Sequence, residues 1–165
     1  MAATRLILPM ALLAAALAPA VHATEPHPSK AAKPAASGHQ LDTSGRAQVG
    51  KASFYARKFT GRKMADGNVM DPRDDNAASK TLPLGTKALV TNLETGRSAV
   101  VTIQDRGPYV PGRIVDLSPA TAEKIGLTPE EGLATVEVAP IVVPLPDGGV
   151  KPGAAANTGV ASRTP

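Results

Sequence analysis

The stretch that decides the fold is Thr102-Ile-Gln-Asp-Arg-Gly-Pro-Tyr109. An apolar, β-branched run, Ala99-Val-Val-Thr-Ile103, enters it, and Gly107-Pro108 stops that run. Such a pattern predicts a buried strand that ends in a tight turn. Asp105 and Arg106 would then lie at the mouth of a turn, on a rigid strand, which suits a functional site. The alternative is that Asp105 accepts backbone N–H bonds of the turn and Arg106 pairs locally.

The composition restricts the chemistry that this chain can perform. Its 165 residues give room for one domain at most. The three histidines all precede residue 40, and there is no cysteine. Disulfides, a thiol nucleophile, Cys-bound zinc and a lipid anchor on cysteine are therefore excluded. Proton transfer in the middle of the chain must fall to carboxylates, lysine or tyrosine.

The charge of +4 is spread along the chain and gives little support to nucleic-acid binding. Residues 49–143 hold twelve Lys and Arg against eleven Asp and Glu. One local bias stands out: five cations occur between residues 51 and 63 with no acid among them. A solvated face is one interpretation of this run, and attraction to an anionic polymer is the other. The run consists of Lys51, Arg57, Lys58, Arg62 and Lys63.

The ends of the chain differ in composition from its middle. Residues 1–23 have a positive residue, Arg5, an apolar stretch and small residues before position 24, which predicts a signal peptide cleaved after Ala23. Residues 24–48 and 144–165 are rich in Pro, Ala and Gly, so we predict a disordered linker and a disordered tail. The folded domain is then predicted at 49–143, and the protein is expected in the periplasm or secreted.

The domain is predicted to be mainly β, because short apolar runs alternate with turn residues. The strand 87–91, a turn at Gly96 and the strand 98–104 predict a hairpin. Many short strands with little helix favour a small barrel or sandwich. Pro140 indicates that the last strand ends at an edge. The predicted strands are Lys51–Tyr55, Lys87–Thr91, Ser98–Gln104, Arg113–Leu117 and Ala134–Pro140, the last extended by 141–143.

One helix is clearly indicated, with Ser118 as N-cap, Pro119 at its first position and Gly126 after its end. Thr128-Pro-Glu-Glu131 repeats the capping pattern over one turn. A shorter helical turn is predicted to start at Asp74 or Asp75 and to cover residues 76–79.

Carboxylates are the side chains with which this domain could do chemistry. Breaking a glycosidic bond needs only carboxyl groups, one of which protonates the leaving oxygen. Asp105 and Asp116 are the acids most firmly attached to predicted strands. Asp116 directly precedes Leu117-Ser118, so we interpret it as a helix cap or a loop anchor. Asp66 lies beside Gly67-Asn68, where turn formation is the default interpretation.

Six consecutive blocks within residues 50–143 carry a resemblance to a known family. The blocks are Gly50–Tyr55, Phe59–Gly67, Ala77–Gly85, Val90–Arg97, Asp105–Tyr109 and Gly112–Ser118. In this order they resemble the rare-lipoprotein-A family. The resemblance implies a six-stranded double-psi β-barrel with one or two short helices, a fold shared with expansins and barwin-like proteins.

The resemblance also implies a function. The family's characterised enzymes are lytic transglycosylases that cleave peptidoglycan glycan strands, preferring strands without stem peptides, and leave 1,6-anhydro ends. They act at the division septum in daughter-cell separation. No metal and no organic cofactor are implied. For this chain we expect peptidoglycan glycan as the partner, septal division proteins as further partners, no nucleic acid and a monomer.

The site residues of the family carry over in part. Its catalytic aspartate falls on Asp105, which is intact. Its catalytic glutamate falls on Asn68 and its histidine on Ser79. An amide binds a sugar hydroxyl but does not donate a proton at a useful rate. Besides Asn68 and Ser79, we expect Arg106, Tyr55 and Tyr109 to contact the substrate, the last two by stacking on sugars.

Two functions therefore remain open at the level of the sequence. The first is a transglycosylase in which Asp105 is the acid and base. The second is an expansin-like barrel that binds glycan without cleaving it, which Asn68 and Ser79 fit naturally. A structural protein without glycan contact has only the near-neutral domain in its favour.

Overall fold

The computed structural model describes residues 40–158. The predicted signal peptide, 1–23, and residues 24–39 of the predicted linker lie outside the described residues. Seven strands, one α-helix and one short 3₁₀ turn make up the described part. They are β1 (Gln48–Phe54), the 3₁₀ turn (Arg57–Phe59), β2 (Asn76–Ser79), β3 (Lys87–Asn92), β4 (Ser98–Asp105), β5 (Arg113–Leu117), α1 (Pro119–Lys124), β6 (Ala134–Pro144) and β7 (Val150–Pro152).

Six of the strands close into a barrel, in the order β1-β5-β2-β4-β3-β6, with β6 paired back to β1. β1 with β5 and β2 with β4 are parallel, whereas the other barrel pairs are antiparallel. Closure leaves no free edge among these six strands. The predicted mainly-β fold, a six-stranded double-psi β-barrel, is confirmed.

Small and branched side chains fill the barrel. Alternate residues of β3, β4 and β6 point inward, including Val90, Ile103 and Val136, and all three are fully buried. An eight-stranded barrel has an interior just wide enough for side chains to fill, and a six-stranded barrel is narrower. The interior is thus a packed core, and any site must lie on the outer surface of the barrel or at its ends.

The two elements with the strongest local patterns are confirmed. β3 and β4 form the predicted antiparallel hairpin. Ser118 caps α1, because its hydroxyl accepts a hydrogen bond from the backbone N–H of Thr121. Gly126 follows the helix with φ of 74°, where glycine has no steric penalty. No helix within residues 40–158 is long and apolar enough to cross a membrane.

The predicted helical turn over residues 76–79 is wrong, because these residues form β2. All four are buried, and β2 pairs in parallel with β4 on one side and antiparallel with β5 on the other. Backbone pairing on both edges overrides the weak strand propensity of Asn-Ala-Ala-Ser. Asp75, which we interpreted as a helix start, instead binds Thr121 and Lys124 of α1.

The folded unit is wider than the predicted 49–143. β1 begins at Gln48, β7 pairs with β6, and Gly45 accepts a backbone hydrogen bond from Ala154. The prediction of a disordered tail is therefore wrong for residues 144–158. The last strand, predicted at 134–140 with an extension by 141–143, is confirmed as β6, which ends at Pro144. Pro140 pairs with Ala88 next to a register shift, a position that tolerates proline.

A substitution at Gly153 tests whether the C-terminal segment belongs to the fold. A Cβ there would lie 2.2 Å from the carbonyl oxygen of Pro140, a backbone atom that cannot move aside. We expect Gly153→Ala to lower the free energy of unfolding by about 1–3 kcal/mol, measured by urea denaturation. In the control Gly149→Ala, the new Cβ meets only the tip of the Asp147 side chain. Equal stability of both variants would contradict the conclusion that the C-terminal segment is part of the fold.

Candidate functional site

The Asp105 carboxylate is held in a fixed orientation at the end of β4. Its Oδ1 accepts hydrogen bonds from the backbone N–H groups of Ala65, at 3.0 Å, and Arg106, at 2.8 Å. Its Oδ2 accepts a hydrogen bond from the Tyr55 hydroxyl at 3.1 Å. Three donors from three parts of the chain thus converge on one side chain. The interpretation of Asp105 as a plain turn residue explains only the bond from Arg106.

A one-residue irregularity between β2 and β4 sets the direction of Asp105. Ala77 pairs with Ile103, but Ala78 pairs with Asp105, so Gln104 is the extra residue of a bulge. Side chains alternate between the two faces of a strand, and a bulge re-aims the residues after it. Ala77 and Ile103 belong to the barrel core. Asp105 therefore lies on the opposite face, with Ala78.

Asp116 lies on that same face. Ala78 pairs with Asp105 on one side and with Asp116 on the other, and Asp116 pairs in turn with Ser53 of β1. Neighbouring strands are about 4.8 Å apart, which places the Cα atoms of the two aspartates roughly 10 Å apart. Ala78, the residue between them in the sheet, is buried in a small cluster with Tyr55, Met64 and Met70.

Asp116 has its own partners, which are not those of a helix cap. Its Oδ1 accepts hydrogen bonds from the Ser53 hydroxyl and from Nη2 of Arg113, with which it forms an ion pair. Ser118 provides the cap of α1. Our interpretation of Asp116 as a helix cap is therefore wrong, because its strand position directs the carboxylate across the sheet.

The Tyr55 hydroxyl binds Asp105 and is close enough to Asp116 to be affected by its charge. Burial raises the pKa of the Tyr55 phenol well above the ordinary value of 10.0, and the negative charges of Asp105 and Asp116 raise that pKa further. The hydroxyl is therefore neutral across the working range of most enzymes and remains a hydrogen-bond donor to Asp105. Because both aspartates raise the pKa of the same phenol, they belong to one site.

These side chains line a cavity of about 760 Å³ on the outer face of the barrel. A smaller cavity of about 220 Å³ adjoins it, and Tyr55, Phe59 and Asp105 line both. Within residues 40–158 no cluster of His, Asp or Glu could hold a metal ion. The larger cavity combines aromatic with charged walls: Phe54, Tyr55, Phe59 and Tyr109 with Lys58, Asp105, Arg106, Arg113 and Asp116.

Comparison with known proteins places this fold and site in a family. A family model described as lytic transglycolase matches residues 47–138. The chain belongs to this family. A relative from Pasteurella multocida, named endolytic peptidoglycan transglycosylase RlpA, is 54% identical over 86 residues, which are 52% of this chain and 29% of the relative. One of the same name from Vibrio cholerae is 44% identical over 102 residues, 62% of this chain and 38% of the relative.

The chain spans about a third of the length of these curated relatives. Two solved structures are also similar, each over 58% of this chain with a TM-score of 0.45. The Streptomyces papain inhibitor is 24% identical and covered over 94% of its length. An expansin from Clavibacter michiganensis is 20% identical and covered over 50%. At these values neither adds to the functional assignment.

Two of the residues expected at the site, Ser79 and Asn68, do not line either of these cavities. Ser79 is only 2% exposed, and its hydroxyl accepts a hydrogen bond from the backbone N–H of Leu82. Asn68 is exposed on a turn, where its side-chain amide donates to Asp66 at 2.8 Å. The turn itself adjoins the site, since Ala65 binds Asp105 and the backbone N–H of Asp66 binds the Gln104 carbonyl.

The remaining expected contact residues divide into two kinds. Tyr55 lies at the cavity floor, and Tyr109 is 70% exposed at the cavity wall. Arg106 also lines the cavity, but its Nη1 donates to the carbonyl oxygens of Ser79 and Leu82. These bonds tie the end of β4 to the segment after β2. Arg106 is thus a positioning residue for the site in this fold.

Asp116, Ser53 and Arg113 are the site residues that the sequence analysis missed. The available signal was the alternation in β5, where Asp116 lies between the buried Val115 and Leu117 in sequence. That pattern indicates an outward-facing polar side chain, but it does not indicate which strand lies next to it. Arg113 has the same parity as those core residues, so alternation gives no signal for it.

A tyrosine-specific pH effect tests this family site. Because the folded chain keeps the Tyr55 proton at a pH where the unfolded chain has lost it, the free energy of unfolding must fall as pH rises above about 10. In Tyr55→Phe we expect the free energy of unfolding to decrease less with pH than in the wild type, measured by urea denaturation between pH 8 and 11. The control is Tyr109→Phe, at an exposed phenol. Identical pH dependence in the wild type and in Tyr55→Phe would contradict the burial of the Tyr55 phenol beside Asp105.

Proposed function

We propose that this chain is an endolytic peptidoglycan transglycosylase, which breaks glycan strands and leaves 1,6-anhydro-muramyl ends. Curated relatives with up to 54% identity over the aligned region have that name. The observation that supports it most directly is the fixed Asp105, set across Ala78 from Asp116 in a cavity with aromatic walls.

The reaction needs one group to move a proton twice. The bond between C1 of a muramic sugar and O4 of the next sugar breaks, and O4 takes a proton from the Asp105 carboxyl. The C6 hydroxyl of the same muramic sugar then bonds to C1 and returns its proton to Asp105. Protons balance, no water is consumed, and the nucleophile belongs to the substrate. The protein need not supply a metal or a second base.

The other site residues have supporting roles in this proposal. Asp116, which forms an ion pair with Arg113, lines the same cavity and stabilises the positive charge that develops on C1. Tyr55 keeps Asp105 in place through the bond at 3.1 Å. Tyr109, exposed at the cavity wall, offers a ring face for a sugar.

The proposal includes a place of action. We propose that the protein works on peptidoglycan outside the cytoplasm, in the periplasm or secreted, after cleavage of the predicted signal peptide. Strands poor in stem peptides are its proposed substrate, and daughter-cell separation is its proposed role. The relatives' name supports a cell-wall enzyme. From the family resemblance we also propose septal partners and a monomeric state.

A digest with product analysis tests the activity. Peptidoglycan sacculi and amidase-stripped glycan strands are incubated with the protein, and mass spectrometry detects anhydro-muramyl ends. We expect such ends with the wild type and a decrease of at least about 10²-fold with Asp105→Asn, which keeps the shape but removes the proton carrier. Gly149→Ala, distant from the cavity, is the control. Absence of anhydro ends with the wild type, while it still pellets with glycan, would contradict the proposal.

A second candidate function is an expansin-like barrel that binds glycan without cleaving it. The state of the family's glutamate position favours it, since Asn68 cannot supply a proton and its amide is bound to Asp66. Ser79, at the histidine position, is buried. On this view Asp105 would bind sugar hydroxyls.

Exchanging the two polar groups of the turn separates the candidates. In Asp66→Asn/Asn68→Glu the hydrogen bond between the two side chains can persist, while the carboxylate moves to the family's glutamate position. If Asp105 already moves the proton, we expect the cleavage rate to stay within the same order of magnitude. A gain of about 10²–10⁴-fold, the range of general acid catalysis, would instead identify a barrel that had lost its acid. Asp66→Asn alone is the control.

A further inference from the structure

The cationic run of the sequence forms a cluster at the mouth of the site. Arg57, Lys58, Arg62 and Lys63 are all exposed, on and after the 3₁₀ turn that follows β1. Within residues 40–158 none of the four forms an ion pair, since the salt bridges there involve Arg73, Arg113 and Lys124. Lys51 is not part of the cluster, because its ammonium group binds the Thr135 hydroxyl on β6.

Phe59 fixes two of these cations relative to the cavities. Nζ of Lys58 lies 5.4 Å and Cζ of Arg62 lies 5.9 Å from the centre of the Phe59 ring, at cation–π distance. The ring itself packs edge-on against Tyr55, with 5.8 Å between ring centres. Lys58 lines the larger cavity, and Arg62 and Lys63 line the smaller one. Lys58 and Arg62 are therefore connected to Asp105 through the rings of Phe59 and Tyr55.

This arrangement suits a substrate whose own charge is negative and close to the sugar ring. The carbohydrate chain of peptidoglycan is neutral except at the lactyl group of each muramic sugar. There the carboxyl is an amide while a stem peptide is attached, and a free carboxylate once the peptide has been removed. An arginine or lysine at the cavity mouth attracts the carboxylate but gains little from the amide.

We infer that Lys58 and Arg62, supported by Arg57 and Lys63, recognise the free lactyl carboxylate of peptide-stripped muramic sugars. The inference rests on the proposed function in so far as it places glycan in the cavity. It adds the specificity determinant: the cluster selects stripped strands by charge. The carboxylate of the lactyl group lies a short ether away from the sugar ring, whereas stem-peptide carboxylates are several bonds farther out and are not held at a fixed position.

The test measures binding, so that it does not depend on cleavage. Asp105→Asn protein is titrated with three fluorescently labelled glycans: strands with stem peptides, amidase-stripped strands, and stripped strands whose lactyl carboxyls have been converted to methylamides. We expect the stripped strands to bind most tightly and to lose affinity with rising salt concentration. The methylamide strands, which differ only in charge, should bind like the strands with peptides.

The variant Lys58→Gln/Arg62→Gln, in the same background, should bind stripped strands roughly tenfold more weakly and leave the methylamide strands unchanged. The control Lys87→Gln/Lys151→Gln removes two exposed cations on β3 and β7 and should change neither affinity. A thermal melt shows whether each variant is folded.

Three results would overturn the inference. The first is equal binding of stripped and methylamide strands by the unsubstituted cluster. The second is an equal loss of affinity for all three glycans in the double variant, which would indicate a general effect on the site. The third is binding to anionic phospholipid vesicles without binding to stripped strands, which would assign the cations to a membrane. Charge-selective binding without any cleavage would support the inference and reject only the catalytic proposal.

Discussion

The double pairing of β2 is the constraint on which the rest of the structure depends. Its four residues, Asn76–Ser79, join β4 on one edge and β5 on the other, and no other strand within residues 40–158 pairs with both. The extra residue Gln104 then turns Asp105 to the face of Ala78, where Asp116 already lies. Without that bulge, alternation would direct Asp105 into the barrel core, where an unpaired carboxylate costs several kcal/mol.

The sequence predicts those elements that nearby residues stabilise and misses those that depend on distant partners. The β3–β4 hairpin and α1 are determined by nearby residues, such as the turn at Gly96 and the cap at Ser118, and the sequence predicts both. β2 has no alternating pattern, and its partners lie more than twenty residues away in the chain. The segment 150–158 is similar: Gly153 lies against Pro140 because it lacks a side chain, and composition alone suggests disorder.

The same distinction applies to the site. Asp105 could be predicted because it ends an apolar strand at a turn and the family resemblance places a catalytic aspartate there. Asp116 could not, because a helix cap two residues later explained it equally well, and only the position of β5 between β1 and β2 decides the question. Ser79 shows the opposite error. The resemblance places it at a site position, but a serine here is small enough to be covered and to bind Leu82.

The turn 64–68 explains how the site keeps its shape without the family's glutamate. The Asp66 carboxylate accepts hydrogen bonds from both the backbone and the side chain of Asn68, so a carboxylate and an amide still close the turn. The closed turn presents the backbone N–H of Ala65 to Asp105. The position of Asp105 is therefore independent of which of the two side chains is charged. Asn68 is therefore compatible with the geometry of Asp105 and Tyr55, on which the proposed reaction depends.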